Sequence, residues 1–261
     1  MRVKLKRIVS IANQKGGVGK TTTAINMAAA IATKGHKVLV IDLDPQGNAS
    51  TGLGISPENR KYTAYDVLVD GIDINEAIIK THVKNLSLIT SNTDLSSADA
   101  ELMNDKGRLI KLRNAIEKVK GFDYVFIDCP PSLNLLTINA FAASDSVLVP
   151  LQSEFYALEG LSQLILTVRE VREALGTSLF IDGVVLTMFD KRVKLAQQVE
   201  VDVRDNLKDL VYKTIIPRTV RLSEAPSYGE TILEYDASGR GAEAYVSLGA
   251  EFLIRDKVKQ R

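Results

Sequence analysis

Short apolar runs alternate along the chain with longer stretches of helical periodicity. The runs fall at residues 7–12, 37–41, 85–90, 124–127, 146–150, 181–187 and 212–216, and most are rich in Val, Ile and Leu with no regular polar face. Strands that read this way belong to a parallel sheet covered on both sides. Between them, residues 24–32 carry a nearly continuous apolar face on a helix that Gly35 stops. Further helices are predicted at 64–69, 74–79, 96–120 with a break around 105–107, 158–175, 197–210, and from Arg240 onward. This alternation predicts an α/β fold, a mostly parallel twisted sheet of about 7–8 strands with helices on both faces.

Composition narrows the picture. With 261 residues and 45% hydrophobic content, the chain can bury a core on both faces of one sheet. Neither a repeat nor a linker-like segment divides it, so a single domain over 1–261 is expected. The net charge of +1 gives no overall attraction for nucleic acid or anionic lipid, so any such binding needs a local patch. The basic stretch at residues 1–7 runs straight into the first strand without an apolar signal core, and no run of about 18 apolar residues follows anywhere. A soluble, cytoplasmic protein without membrane contact is expected. The single cysteine, Cys129, excludes an intrachain disulfide and any site needing two cysteines from one chain.

The densest chemistry lies just after the first strand, in the sequence NQKGGVGKTTT at 13–23. A strand, a glycine-rich loop and a helix start, in that order, make a phosphate-binding loop of the P-loop NTPase type. Gly16, Gly17 and Gly19 let backbone amides, with that of Val18, curl around an anion at which the helix dipole also points. Lys20 would lie along the β- and γ-phosphates, and the Thr21 hydroxyl would complete a magnesium shell of phosphate oxygens and waters. Thr22 follows in the first turn. The usual first glycine of the motif is replaced by Gln14, and the loop carries an added cation, Lys15.

Three aspartates end strands beside this loop. Asp128 closes the apolar run 124–127 and suits an acid that holds magnesium through water, the alternative being a helix or turn cap. Asp42 and Asp44 end the run 37–41, and only one of them can face the γ-phosphate. Asp44 is the better placed to orient the attacking water, with Asp42 near the magnesium waters; a plain Asp-Pro turn is the competing reading. Later in the chain, Pro217 and Arg218 follow a strand and together can pack on an adenine ring.

With these segments in order, the chain resembles the ParA/Soj family of chromosome- and plasmid-partitioning ATPases, within the deviant Walker A class. The resemblance is carried by KGGVGKTT at 15–22, DLDPQGN at 42–48, DCPPS at 128–132, YALEG at 156–160 and IPRTVRLSEAP at 216–226. It implies ATP and Mg2+ as cofactors and an ATP-bound sandwich homodimer in which Lys15 reaches the partner's nucleotide. It implies hydrolysis aided by Asp44, non-specific binding of double-stranded DNA by the dimer, stimulation by a ParB-type centromere-binding protein, and a nucleoid-associated location. Two departures stand out: Thr219 occupies a position where asparagine is usual, and SYGET at 227–231 loses a positive charge relative to the family's SHGKP.

DNA binding requires a cluster, and the densest basic segments are KRVK at 191–194 and the pair Arg218 and Arg221. The resemblance assigns Arg192 and Arg221 to DNA phosphates and leaves Arg218 to the nucleotide. Against this stand the solvated-surface reading of short basic runs and three other functions built on the same loop. An iron protein of the nitrogenase type needs two cysteines per subunit. A MinD-like, membrane-associated division regulator needs a C-terminal amphipathic helix, whereas residues 247–261 read as a core helix through Ile254 followed by a charged, solvated tail. A small-molecule synthetase needs a dedicated substrate pocket.

Overall fold

The first apolar run becomes β1 (Arg7–Ile11), and the rest of the sheet is laid out around it. The other strands are β2 (Val38–Asp42), β3 (Ile79–Lys80), β4 (Leu86–Ile89), β5 (Tyr124–Asp128), β6 (Ser146–Gln152) and β7 (Phe180–Thr187). The computed structural model describes residues 7–154 and 157–259; the basic stretch before Arg7 and Tyr156 of the YALEG segment lie outside the described residues. Seven strands form one sheet in the order β3-β4-β2-β5-β1-β6-β7. Every neighbouring pair is parallel except β3 and β4 at the edge. The register sets Ile11 beside Asp128, and Asp128 beside Asp42, so these strand ends share one level.

Alternation along the strands feeds two cores. Val38, Val40, Tyr124 and Phe126 pack toward α1 (Lys20–Thr33), α9 (Ile232–Tyr235) and α10 (Arg240–Lys259). Leu39, Ile41, Val125 and Ile127 pack toward α3 (Ala98–Glu101), α4 (Lys111–Ile116), α5 (Leu135–Ala143), α6 (Ala157–Leu175) and α7 (Lys194–Leu207). Two short helices complete the chain order, α2 (Asn48–Gly52) after the loop that ends β2 and α8 (Val220–Glu224) after the segment that follows α7. The alanines of α1 and Gly249 of α10 let those two helices approach closely. A Cβ at 249 would stand 3.1 Å from that of Ala30.

Two expectations need correction, one is refined and one helix is new. Residues 212–216 form no strand: the Tyr212 and Ile216 amides reach β7, but those of Lys213 and Thr214 donate to the Glu251 carboxylate on α10 at 2.8 and 2.9 Å. The helix expected at 74–79 is a single turn capped by Asp73, after which the chain enters β3. Residues 96–120 hold two short helices, α3 and α4, separated at the break expected around 105–107, which is wider than expected and filled by turns. Helix α5, which the apolar pattern did not resolve, starts at the Asn134 cap and is buried on nearly every side. The helix at 64–69 is present, its later part wound as a π-turn over Asp66–Asp70.

The C-terminal helix departs from expectation in a different way. Ile254 is exposed, whereas Asp256, assigned to a solvated tail, is buried. It accepts from Arg7 Nη1 at 2.8 Å and from the Tyr124 hydroxyl at 3.0 Å. Arg7 also donates to Ser146 Oγ at 3.0 Å and pairs with Asp182, whose other oxygen accepts from Tyr212. The Arg7 guanidinium lies 5.4 Å from the ring centres of Phe180 and Phe252. Burial by itself would lower the Arg7 pKa, but Asp182 and Asp256 outweigh it and raise it. This network ties β1, β5, β6, β7 and α10 together at the amino edge of the sheet, opposite the phosphate loop.

Candidate functional site

The loop after β1 is shaped by its neighbours on both sides. Asn13 donates to the Pro150 carbonyl at 2.8 Å and accepts from the Lys15 amide at 3.0 Å, fixing the start of the loop to β6. Thr187, the last residue of β7, donates to the Val18 carbonyl at 2.8 Å and fixes its far end. Gly17 and Gly19 have φ of +74° and +85°, the left-handed region that side chains disfavour. Gly19 then accepts from the Thr23 amide at 2.9 Å, which opens α1.

Lys20 is buried and folds back so that Nζ donates to the Lys15 carbonyl at 3.0 Å. Burial lowers its pKa, against the opposing fields of Asp128, Cys129 and Asp44. Its ammonium is thereby held against the backbone of the loop. Lys15 behaves differently: it projects outward, 46% exposed, and pairs with Glu154 after β6.

The two strand-end acids are both fully buried but unequally served. Asp42 accepts from the Asp44 amide at 3.2 Å and from the Ser50 amide and hydroxyl at 2.8 and 2.7 Å. Burial still pushes its pKa up to about 6, the Ser50 bonds resisting. Among the described residues neither oxygen of Asp128 has a hydrogen-bond partner at ordinary geometry, the Thr21 hydroxyl being the nearby donor. Burial, followed by the charge of Asp42, raises the Asp128 pKa well above the ordinary carboxylate value; nearby Thr21 and Lys20 only partly oppose this. An unpartnered buried carboxyl is costly. Beside a phosphate loop and the Thr21 hydroxyl, it is the donor set that a hydrated magnesium ion fits. Among the described residues no three His, Cys, Asp or Glu side chains group as ligands, so such an ion would take most of its shell from water and phosphate. Asp44 is half-buried, with one carboxylate oxygen accepting from the Gln46 amide at 3.0 Å.

A cavity of 660 Å³ runs from Gly19, Thr21 and Thr22 to Pro217 and Arg218. The far wall is held in place by the pairing of Pro217 with Phe189 and by the Arg218 amide, which donates to the Phe189 carbonyl at 3.0 Å. The fold thus brings the phosphate loop and the later loop to one cleft. Met188, also in its wall, went unnoticed in the sequence, because nothing marks a methionine after a strand as a pocket residue.

The basic residues assigned to DNA stand apart from this cleft. Arg192 is 85% exposed and holds Asp190 through two bonds, from Nε at 2.9 Å and Nη2 at 2.6 Å, which keeps the Asp190 carboxyl well below its ordinary range. Arg221 pairs with Glu224 at 3.2 Å and lies 5.8 Å from the centre of the Tyr235 ring. Both arginines therefore carry an acid partner of their own. Lys191 shares a groove with Lys213 and Arg240, two cations that the linear sequence keeps far apart.

Residues 6–181 match a family model described as an AAA domain. Over 246 residues the chain is 53% identical to the sporulation initiation inhibitor protein Soj of Bacillus subtilis, covering 94% of this chain and 97% of that protein. The chromosome partitioning protein ParA of Caulobacter vibrioides is 51% identical over 257 residues, covering 97% and 96%. The chain belongs to the ParA/Soj family. As a member of this family of chromosome-partitioning ATPases, it carries the deviant Walker A loop described above. Its fold also matches the cobyrinic acid a,c-diamide synthase from Mycobacterium smegmatis with bound ADP and magnesium. That structure is 35% identical, with a TM-score of 0.84 over 98% of this chain and 96% of the other.

Proposed function

We propose that this partitioning ATPase, a single domain over 1–261, binds ATP and magnesium in the cleft between the phosphate loop and Pro217. The observation that carries this reading is the buried, unpartnered Asp128 carboxylate beside Thr21 and Lys20. Lys20, with Gly16, Gly17, Val18 and Gly19, cradles the phosphates, and Thr21 and Thr22 stand at the helix start. Magnesium would be held by the Thr21 hydroxyl and, through water, by Asp128 and Asp42. Pro217 and Arg218 pack against the base. Bound magnesium would neutralise developing phosphate charge. Asp44 receives the proton side of the attacking water and fixes its approach to the γ-phosphate.

In the same proposal, ATP joins two copies face to face. Lys15 leaves Glu154 and reaches the nucleotide of the other subunit. The dimer binds double-stranded DNA without sequence preference through Arg192 and Arg221, aided by the groove cations Lys191, Lys213 and Arg240. A ParB-type centromere-binding protein stimulates hydrolysis and releases the DNA, which makes the protein cytoplasmic and nucleoid-associated. One observation favours DNA over a MinD-like attachment to lipid: Tyr245, Leu248 and Phe252 of α10 are buried in the core rather than offered to a surface.

The test compares Lys15→Ala and Asp44→Ala with the unaltered protein by sedimentation and ATP turnover. Lys15→Ala should bind ATP and remain monomeric. Asp44→Ala should dimerise with ATP and hydrolyse it at least about 100-fold more slowly. A dimeric Lys15→Ala protein removes the cross-subunit role, and unaltered turnover in Asp44→Ala removes the catalytic one.

A further inference from the structure

The loop that carries Asp44 is held by residues outside its own motif. Ser91, fully buried just after β4, donates its hydroxyl to the Asp44 carbonyl at 2.6 Å. Its amide donates to Ser50 Oγ at 3.0 Å, and Ser50 is the residue that satisfies Asp42. Ser91 therefore joins the start of the loop to its end. Arg60 supports it from the outer side. Its Nη1 donates to the Ser91 carbonyl at 2.8 Å and its Nη2 to Thr51 Oγ1 at 2.9 Å. The same Nη1 packs over Gly47, where a Cβ would come within 2.5 Å of it.

We propose that Ser91, supported by Arg60, is a positioning residue for ATP hydrolysis. It fixes the backbone of Asp44 and thereby the place where the Asp44 carboxylate meets the attacking water. The inference rests on the reading of Asp44 as the water-orienting acid.

The physical reason lies in how the turn is anchored. Within it, Gln46 N binds the Asp44 carboxylate at 3.0 Å and Gly47 N binds the Asp44 carbonyl at 2.8 Å. Bonds internal to a turn hold its shape but not its position, so the turn can still swing as one piece. The Leu43 amide, bonded to the Asp128 carbonyl at 3.0 Å, ties down the near end. Among the described residues, the contact from Ser91 Oγ is the one that reaches the Asp44 peptide from outside the turn and its strand. A misplacement of about 1 Å at a reacting centre can cost as much as ~100-fold in rate.

A buried serine that merely satisfies a carbonyl would make a different prediction. Its loss would lower stability and nucleotide affinity together, with turnover following binding. A positioning residue lowers kcat while KM and ATP affinity stay in place. Full-length Ser91→Ala and Arg60→Lys, each alone and combined with Asp44→Ala, would be assayed for Mg-ATP affinity, kcat, KM and melting temperature. Ser91→Ala should bind ATP within about twofold of the unaltered protein and lose about tenfold in kcat. Arg60→Lys, which keeps the charge but not the fork, should lose about threefold. Neither should slow the residual turnover of Asp44→Ala further, because both act through that side chain. Unaltered kcat in Ser91→Ala beside a stalled Asp44→Ala overturns the proposal. So does a loss confined to KM, or one of equal size in the Asp44→Ala background. Full turnover in Asp44→Ala would instead overturn the underlying reading of Asp44, and the Ser91 role with it. Should Ser91→Ala not fold, the partly exposed Arg60→Lys decides on the same criteria.

Discussion

At the amino edge of the sheet, Asp182 and Asp256 are buried around Arg7; Tyr124 and Tyr212 donate to these acids, and Ser146 accepts from Arg7. At the carboxyl edge, Asp128 is as deeply buried, yet among the described residues both its oxygens lack a hydrogen-bond partner at ordinary geometry. Chain and sheet are the same, and β5 even contributes to both places, through Tyr124 at one end and Asp128 at the other. The difference lies in what completes the charge. At the amino edge the protein supplies the cation, so the cluster holds strands together. At the carboxyl edge the protein supplies a carboxylate, a hydroxyl and a loop of amides, and in the proposed function the cation and anion come from solution. Burial alone therefore does not separate a structural acid from a functional one; partner accounting does.

Removing one acid from each edge gives the sharpest contrast. Asp256→Ala leaves Arg7 buried with part of its pairing gone and should cost about 3–5 kcal/mol of unfolding free energy. Denaturant titration checks this, and Mg-ATP affinity of the folded fraction should be unchanged. A loss below about 1 kcal/mol would mean that the amino-edge network is not what holds β1 to α10.

Next in size is Lys20→Ala. It removes the cation held against the loop and should weaken ATP binding at least about 100-fold, the scale of a lost charge-assisted contact to phosphate. Stability without nucleotide should hold, since a desolvated ammonium is being removed. Isothermal titration with ATP reads this directly, and unchanged affinity would sink the site assignment.

A smaller and opposite effect is expected of Asp128→Asn. Without nucleotide the variant should be more stable by about 1 kcal/mol, because a costly unpartnered acid becomes neutral at nearly the same volume. Magnesium-dependent turnover should fall steeply in the same protein. If the variant were instead destabilised as much as Asp256→Ala, the two edges would not differ in the way the hydrogen bonds indicate.

Legibility in the sequence followed the range of the interactions. Strands β1, β2, β4, β5, β6 and β7 stood out because a doubly covered parallel strand writes its burial into consecutive residues. The phosphate loop was legible because its glycines, Lys20 and Thr21 adjoin one another. Residues 212–216 looked like a strand, because nothing local says that Glu251, some 37 residues away, captures the Thr214 amide. Asp256 was placed with the charged tail, since its partner Arg7 lies 249 residues away. Ser91 escaped notice for the same reason, its bond to Asp44 spanning 47 residues. The site was thus legible where its parts are contiguous and hidden where it is supported from across the sheet.

The basic surface extends the comparison to exposed charge, where the smallest effects are expected. Arg192 and Arg221 resemble neither edge: each is exposed and already paired with an acid on its own turn. Exposed pairs of this kind contribute little to stability, so a DNA phosphate can displace the acid at little cost. Arg192→Ala and Arg221→Ala should each weaken DNA binding by the ATP-bound protein and lower the slope of log affinity against log salt by about one unit per phosphate contact. Turnover without DNA should be nearly unchanged, because neither side chain lines the nucleotide cleft. Asp190→Asn sharpens the case. It frees Arg192 from its competing carboxylate and should raise DNA affinity by about twofold to fivefold, the range of one exposed pair. Electrophoretic or fluorescence titration across a salt series reads these three variants and the double variant Arg192→Ala with Arg221→Ala together. If the double arginine variant binds with unaltered affinity and slope, and Asp190→Asn leaves both in place, the DNA surface lies elsewhere and these arginines belong to the solvated exterior.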